Sequence, residues 1–125
     1  MTRRSGRETW SETMDIRFLE FDGERLQFAD YLDRVDPECG ELIMQRLELL
    51  TAFSAGDRLP DPPVSSLLGI ADLFQLLVDY DGEVHRVAFG AHSGVWLIVF
   101  AFRCDTDPIP ASEAASIRAA WASRP

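Results

Sequence analysis

His85 and Arg86 stand side by side in the run Glu83-Val84-His85-Arg86-Val87-Ala88-Phe89, and each offers chemistry the other lacks. Imidazole gains or loses a proton near neutral pH, so His85 is a candidate general acid or base. A guanidinium presents a fixed fork of donors that suits a phosphate, so Arg86 is a candidate anion holder. Each also has a structural alternative. Arg86 can pair with Asp79 or Glu83 across a hairpin, and His85 can be a satisfied histidine of the interior. His92, between Gly90 and Gly94, reads as an exposed turn histidine. Asp79-x-Asp81-Gly82-Glu83 opens like a calcium loop but lacks the later bidentate Glu. Cys39 and Cys104 have no C-x-x-C or Cys/His spacing and read as reduced thiols. No metal and no cofactor is expected.

These residues must be positioned by the stretch Asp72 to Pro110. Leu73 to Tyr80 is a β-rich run, Asp81-Gly82 follows, and Glu83 to Phe89 is a second run. Asp-Gly between two such runs predicts a hairpin, because a type I′ turn needs positive φ at both central residues. A second break at Gly90 to Gly94 leads into Val95 to Phe102, which is apolar at every position. Three antiparallel strands are expected, the third covered on both faces. In the second, His85 shares a face with Val87 and Phe89, and Arg86 with Val84 and Ala88. In the third, simple alternation puts Trp96, Phe100 and Phe102 under the helices and Leu97, Val99 and Ala101 on the other side.

Upstream, Met1 to Met14 reads as a flexible leader, with Met14 an alternative start. Asp15 to Phe21 alternates as a first strand, ended by Asp22-Gly23. Phe28, Tyr31, Leu32 and Val35 fit one helical face, and Asp36-Pro37 stops that helix and starts another. The second carries Cys39, Leu42, Ile43, Leu49, Leu50 and Phe53 on its stripe, widened by Met44 and Leu47. Ser54 to Ala71 is rich in Gly and Pro and predicts little regular structure. Asp105 to Ile109 is a loop, and Pro110 opens a terminal helix with Ala114, Ile117 and Trp121 on one side.

The order β-α-α-β-β-β-α predicts one α+β domain over residues 15–125. Two N-terminal helices would pack on a small antiparallel sheet, beside a short C-terminal helix. Helices on one side only would leave Leu97, Val99 and Ala101 bare, and a partner chain or a second copy would cover them as a homodimer through the sheet. The formal net charge of -9 opposes broad nucleic-acid binding. All 12 basic residues are Arg. No apolar run reaches the roughly 18 residues of a membrane span, and no apolar signal core opens the chain. A cytoplasmic, acidic protein without membrane contact is expected.

Three stretches resemble the RelE/ParE superfamily of toxins, in its phage-derived, HigB-like branch. The first is Phe28-Ala29-Asp30-Tyr31-Leu32, then Asp36-Pro37, then Gln45-Arg46-Leu47-Glu48-Leu49-Leu50. The second is Leu73-Phe74-Gln75-Leu76-Leu77 with Arg86-Val87 beyond the hairpin. The third is Phe102 with Pro110 eight residues on. The resemblance covers Asp15 to about Ala122. It implies a RelE-like fold and the toxin component of a toxin–antitoxin system, a metal-independent endoribonuclease that cleaves mRNA on the ribosome. An antitoxin partner, in some pairs a helix-turn-helix protein, would hold it inactive.

Such cleavage needs a group to activate the 2′-hydroxyl, a group to protonate the leaving oxygen, and cations for the charge at phosphorus. By the resemblance, Arg86 falls on a matching basic position and Arg103 lies one or two residues from another. With His85 these are the candidate catalytic residues. Leu77 stands where the family carries its first sheet Arg, and Cys104-Asp105 where it carries Lys-Lys. Two readings stay open: an mRNA-cleaving toxin, or a catalytically silent toxin-fold protein that works through protein contacts.

Overall fold

The computed structural model describes residues 14–19, 27–54, 56–61 and 63–125. Nearly all of the 1–14 leader and the Asp22-Gly23 stop lie outside them; Met14, at their start, is buried in the core. In chain order the elements are β1 (Asp15–Phe18), α1 (Gln27–Arg34), α2 (Pro37–Glu48), a 3-10 turn (Leu49–Ala52), β2 (Val64–Ser66), β3 (Leu73–Tyr80), β4 (Glu83–His92), β5 (Val95–Arg103) and α3 (Ala111–Ala122).

Local sequence explains most of the boundaries. Pro37 occupies the first helical positions of α2, where its missing N–H costs nothing, and the Gly40 amide closes the first turn on the Asp36 carbonyl at 2.9 Å. Asp81 and Gly82 adopt φ 51° and 79°, the backbone of a type I′ turn. Ser93 and Gly94, at φ 51° and 81°, make a second turn of the same kind. The expected break at Gly90 is therefore shorter than its glycine spacing implies. β4 runs through Gly90 to His92 and turns only at Ser93-Gly94.

The five strands form one sheet in the order β1-β5-β4-β3-β2. β2 to β5 form an antiparallel meander, whereas β1 pairs parallel to β5, with Asp15 opposite Val95 and Phe18 opposite Ile98. The sheet is thus mixed rather than antiparallel. β1 is separated from the meander by α1 and α2, and that long connection frees it to enter the edge beside β5 in the same direction. The breaker-rich segment also yields β2, where Val64 pairs with Leu76.

Two apolar layers enclose the sheet. On one face, Phe28 and Tyr31 of α1 and Cys39, Ile43 and Leu47 of α2 pack on Leu76, Val78, Val87, Phe89, Trp96 and Ile98. Trp96 donates its indole N–H to the Leu50 carbonyl at 2.8 Å and so pins the 3-10 turn to the sheet. That turn rotates Leu49 off the expected stripe, to 59% exposure. On the other face, Ile117, Ala120 and Trp121 of α3, with Leu67 and Leu73, cover Ala88, Leu97, Val99 and Phe102. The expected bare face does not exist. The apolar side chains of α3 and of the β2–β3 connection bury it, so the reason for placing a second copy there falls away.

A one-residue irregularity reorders β5. Ala88 pairs with Phe100 but Phe89 pairs with Ile98, leaving Val99 as the extra residue of a β-bulge. From there each side chain faces the side opposite to simple alternation. Ala101 joins Trp96 in the α1–α2 layer, while Phe100 and Phe102 join the α3 layer. This corrects the expected placement of Phe100, Phe102 and Ala101.

Candidate functional site

Arg86 is only 5% exposed, on the α3 face of β4. Its guanidinium spends all three nitrogens inside the chain. Nε donates to the Cys104 carbonyl at 3.0 Å, Nη1 to Gln75 Oε1 at 2.9 Å and Nη2 to the Thr106 carbonyl at 3.0 Å. The residue pairs with neither Asp79 nor Glu83. The expected hairpin ion pair is corrected: the guanidinium is instead the clamp that fastens the loop after β5. That loop has further ties. Asp105 accepts the Val84 amide at 3.0 Å, and the Cys104 amide donates to the Val84 carbonyl at 3.0 Å.

His85, next in the chain, faces the opposite way. Its direct cross-strand partner is Arg103, so the bulge brings these two candidates to one face. His85 is 3% exposed, and its Nδ1 lies 2.6 Å from the Tyr31 hydroxyl of α1. Nε2 is buried, has no hydrogen-bond partner among the described residues, and lies 3.6 Å from Glu83 Oε1. A carboxylate oxygen facing Nε2 favours a proton there over a lone pair, so Tyr31 donates to Nδ1 and Nε2 carries the hydrogen. The other Glu83 oxygen holds Arg103 Nη1 at 2.7 Å. Both members of that pair are substantially exposed.

These residues form one end of a cleft of about 520 Å3 between the α1–α2 corner and the β3–β4 turn. Asp36, Asp81 and Glu83 line it against Arg34 and Arg103, with Tyr31, Tyr80 and Cys39 as walls. Among the described residues Arg34 has no ion-pair partner. Burial pushes the Tyr31 hydroxyl up to about 12, aided by Cys39, so it stays a donor at neutral pH. The Cys39 thiol is raised by burial first and then by Asp36 and Glu83, which opposes a reactive thiolate. Tyr80 is raised by loss of solvent and by the carboxylates of Glu38, Asp36 and Asp81, and its hydroxyl donates to Glu38 at 3.3 Å.

The three candidate residues are thus divided by the sheet, His85 and Arg103 on one face and Arg86 on the other. His92 is not a turn residue: half-buried at the end of β4, its Nε2 lies 2.6 Å from the Pro125 carbonyl and its ring meets Trp121 edge-on. Sequence reasoning missed Tyr31 as the partner of His85, and Asp36 and Asp81 as residues of the same cleft. One signal was present. Tyr31 is the only side chain on the α1 stripe with a hydrogen-bonding tip, and an inward-facing strand histidine needs such a partner. Among the described residues no group of three or more His, Cys, Asp and Glu side chains is placed to hold a metal ion, and no helix is long and apolar enough to cross a membrane.

No protein-family model, no curated protein and no solved structure matches the chain.

Proposed function

We propose that this chain is a RelE/HigB-like protein of a toxin–antitoxin pair that acts by binding a protein partner and does not itself cut mRNA. One observation carries the reading: Arg86, the best match to a basic catalytic position of the family, has every guanidinium nitrogen committed to its own fold. Leu77, which pairs with Arg86 across the hairpin, is apolar, and Asp105 is anionic and engaged with a backbone amide. A lost preorganised donor costs about 10²–10³ in rate, and losses within one site do not multiply, so the two replaced positions together remove at least about 10²–10³.

A second reading, ribosome-dependent cleavage, is favoured by the meeting of His85 and Arg103 at one cleft. Its weakness there is charge: Glu83 already holds Arg103, and Asp36 and Asp81 oppose a phosphate. Expression in a bacterial host, with growth followed and transcript 5′ ends mapped, separates the readings. Binding without cleavage gives soluble protein and no new translation-dependent ends. New ends that vanish with Arg103→Ala overturn it. Arg103 is the proper control because its side chain is exposed, whereas loss of Arg86 would damage the fold.

A further inference from the structure

We infer that the cleft between the α1–α2 corner and the β3–β4 turn is a docking site for a basic side chain, arginine or lysine, of a partner polypeptide. This rests on the binding reading above and names the chemistry of the partner. Two independent observations converge. First, Asp36, Asp81 and Glu83 line the cleft together with Tyr80, whose hydroxyl donates to Glu38 at 3.3 Å. No basic side chain is paired with Asp36 or Asp81 among the described residues. Second, His85 lines the same cleft, and its Nε2 is a buried polar atom with no hydrogen-bond partner among the described residues. A folded protein rarely strands such a group, and here only the half-exposed Glu83 side chain stands over it.

A polypeptide supplies both missing complements. Its guanidinium or ammonium meets Asp36 and Asp81 beside the Tyr80 ring, which attracts a cation on its face. A carbonyl of the same segment accepts the Nε2–H of His85 when Glu83 swings toward the incoming charge. Arg34, at the cleft wall and without an ion-pair partner among the described residues, takes a further carbonyl. The formal net charge of -9 steers a basic partner toward this surface. An RNA phosphate fits poorly for the same reasons, since it would face three carboxylates across the lining.

The test uses the full chain, 15N-labelled, titrated with an acetylated and amidated pentapeptide holding one arginine among glycines. The control peptide carries neutral citrulline in its place. The arginine peptide is expected to shift the amides of Asp36, Tyr80 and Asp81 and the His85 ring nitrogens, saturably, and to bind about five- to tenfold tighter than the citrulline peptide. In an Asp36→Asn, Asp81→Asn double variant no capping hydrogen bond is lost, since the Asp36 side chain makes none, and Asn tolerates the positive φ at position 81, so the variant is expected to fold and to erase that preference. Equal binding of the two peptides, shifts elsewhere than the cleft, or a preference that survives the double variant would overturn the inference. No ribosome or RNA is present in the assay. Its failure therefore condemns the cleft alone, while the binding reading stands or falls on the transcript ends.

Discussion

Arg86→Ala distinguishes a structural clamp from a catalytic cation, and the structure sets the size of the effect. Truncation strands the buried Cys104 carbonyl, which costs about 1–3 kcal/mol, and removes two buried methylenes, Cγ and Cδ, at about 0.8 kcal/mol each. Gln75 and Thr106 sit closer to solvent and recover part of their hydrogen bonding from water. Relief of a buried guanidinium offsets some of the remainder. The net expectation is a loss of about 2–4 kcal/mol, or roughly 8–16 °C in melting temperature for a domain of this size. Arg103→Ala removes an ion pair whose side chains are 59% and 44% exposed, so solvent screening holds its cost below about 1 kcal/mol. Arg86→Lys keeps the charge but not the three-pronged reach, and about half of the loss is expected. Urea unfolding of the four proteins, followed by circular dichroism, measures all of this. If Arg86→Ala and Arg103→Ala unfold within about 1 kcal/mol of each other, the clamp is wrong and Arg86 is again available for chemistry.

Two other outcomes follow from particular contacts. A Cβ at Gly90 would collide with the Trp121 ring and the Asp72 carbonyl, one of them rigid backbone, so Gly90→Ala should cost about 2 kcal/mol or more and loosen α3, read by tryptophan fluorescence during urea unfolding. Tyr31 ionises near 10 in the unfolded chain and at about 12 in the folded one, chiefly through burial, so the folded state keeps a proton that the unfolded state loses. Stability should therefore fall as pH rises from about 10 to 12, and Tyr31→Phe should flatten that slope in urea midpoints.

The helical faces and the Asp81-Gly82 turn were legible because each is fixed by local rules. Phe28, Tyr31, Ile43 and Leu47 recur at helical spacing, and only a short list of residues tolerates positive φ in a two-residue turn. The edge strand β2 was hidden among Gly and Pro, since three residues are too few to carry a period. The parallel entry of β1 was hidden for a different reason: its direction is set by the path of α1 and α2 over the sheet, which no feature of Asp15–Phe18 encodes. The fate of Arg86 was out of reach as well, because its acceptors are mostly backbone carbonyls of a loop some twenty residues on, and carbonyls have no signature in sequence.

The deepest miss and the composition of the cleft have one cause. Alternation is a reliable guide along a strand only while the register holds, and a single extra residue inverts everything beyond it. Without the bulge at Val99, Arg103 would stand on the α3 face with Arg86, near the loop where the toxin resemblance would place a basic cluster. With it, Arg103 crosses to His85 and Glu83, and Phe102 takes the place opposite Arg86. The two cations are then kept on separate faces by one backbone irregularity inside an unbroken apolar run. Restoring a basic group to the Arg86 face therefore requires a substitution at a position already there. Leu77, the cross-strand neighbour of Arg86 and half-buried, is the first such position. Arg103, whatever its charge, is on the wrong side of the sheet to contribute.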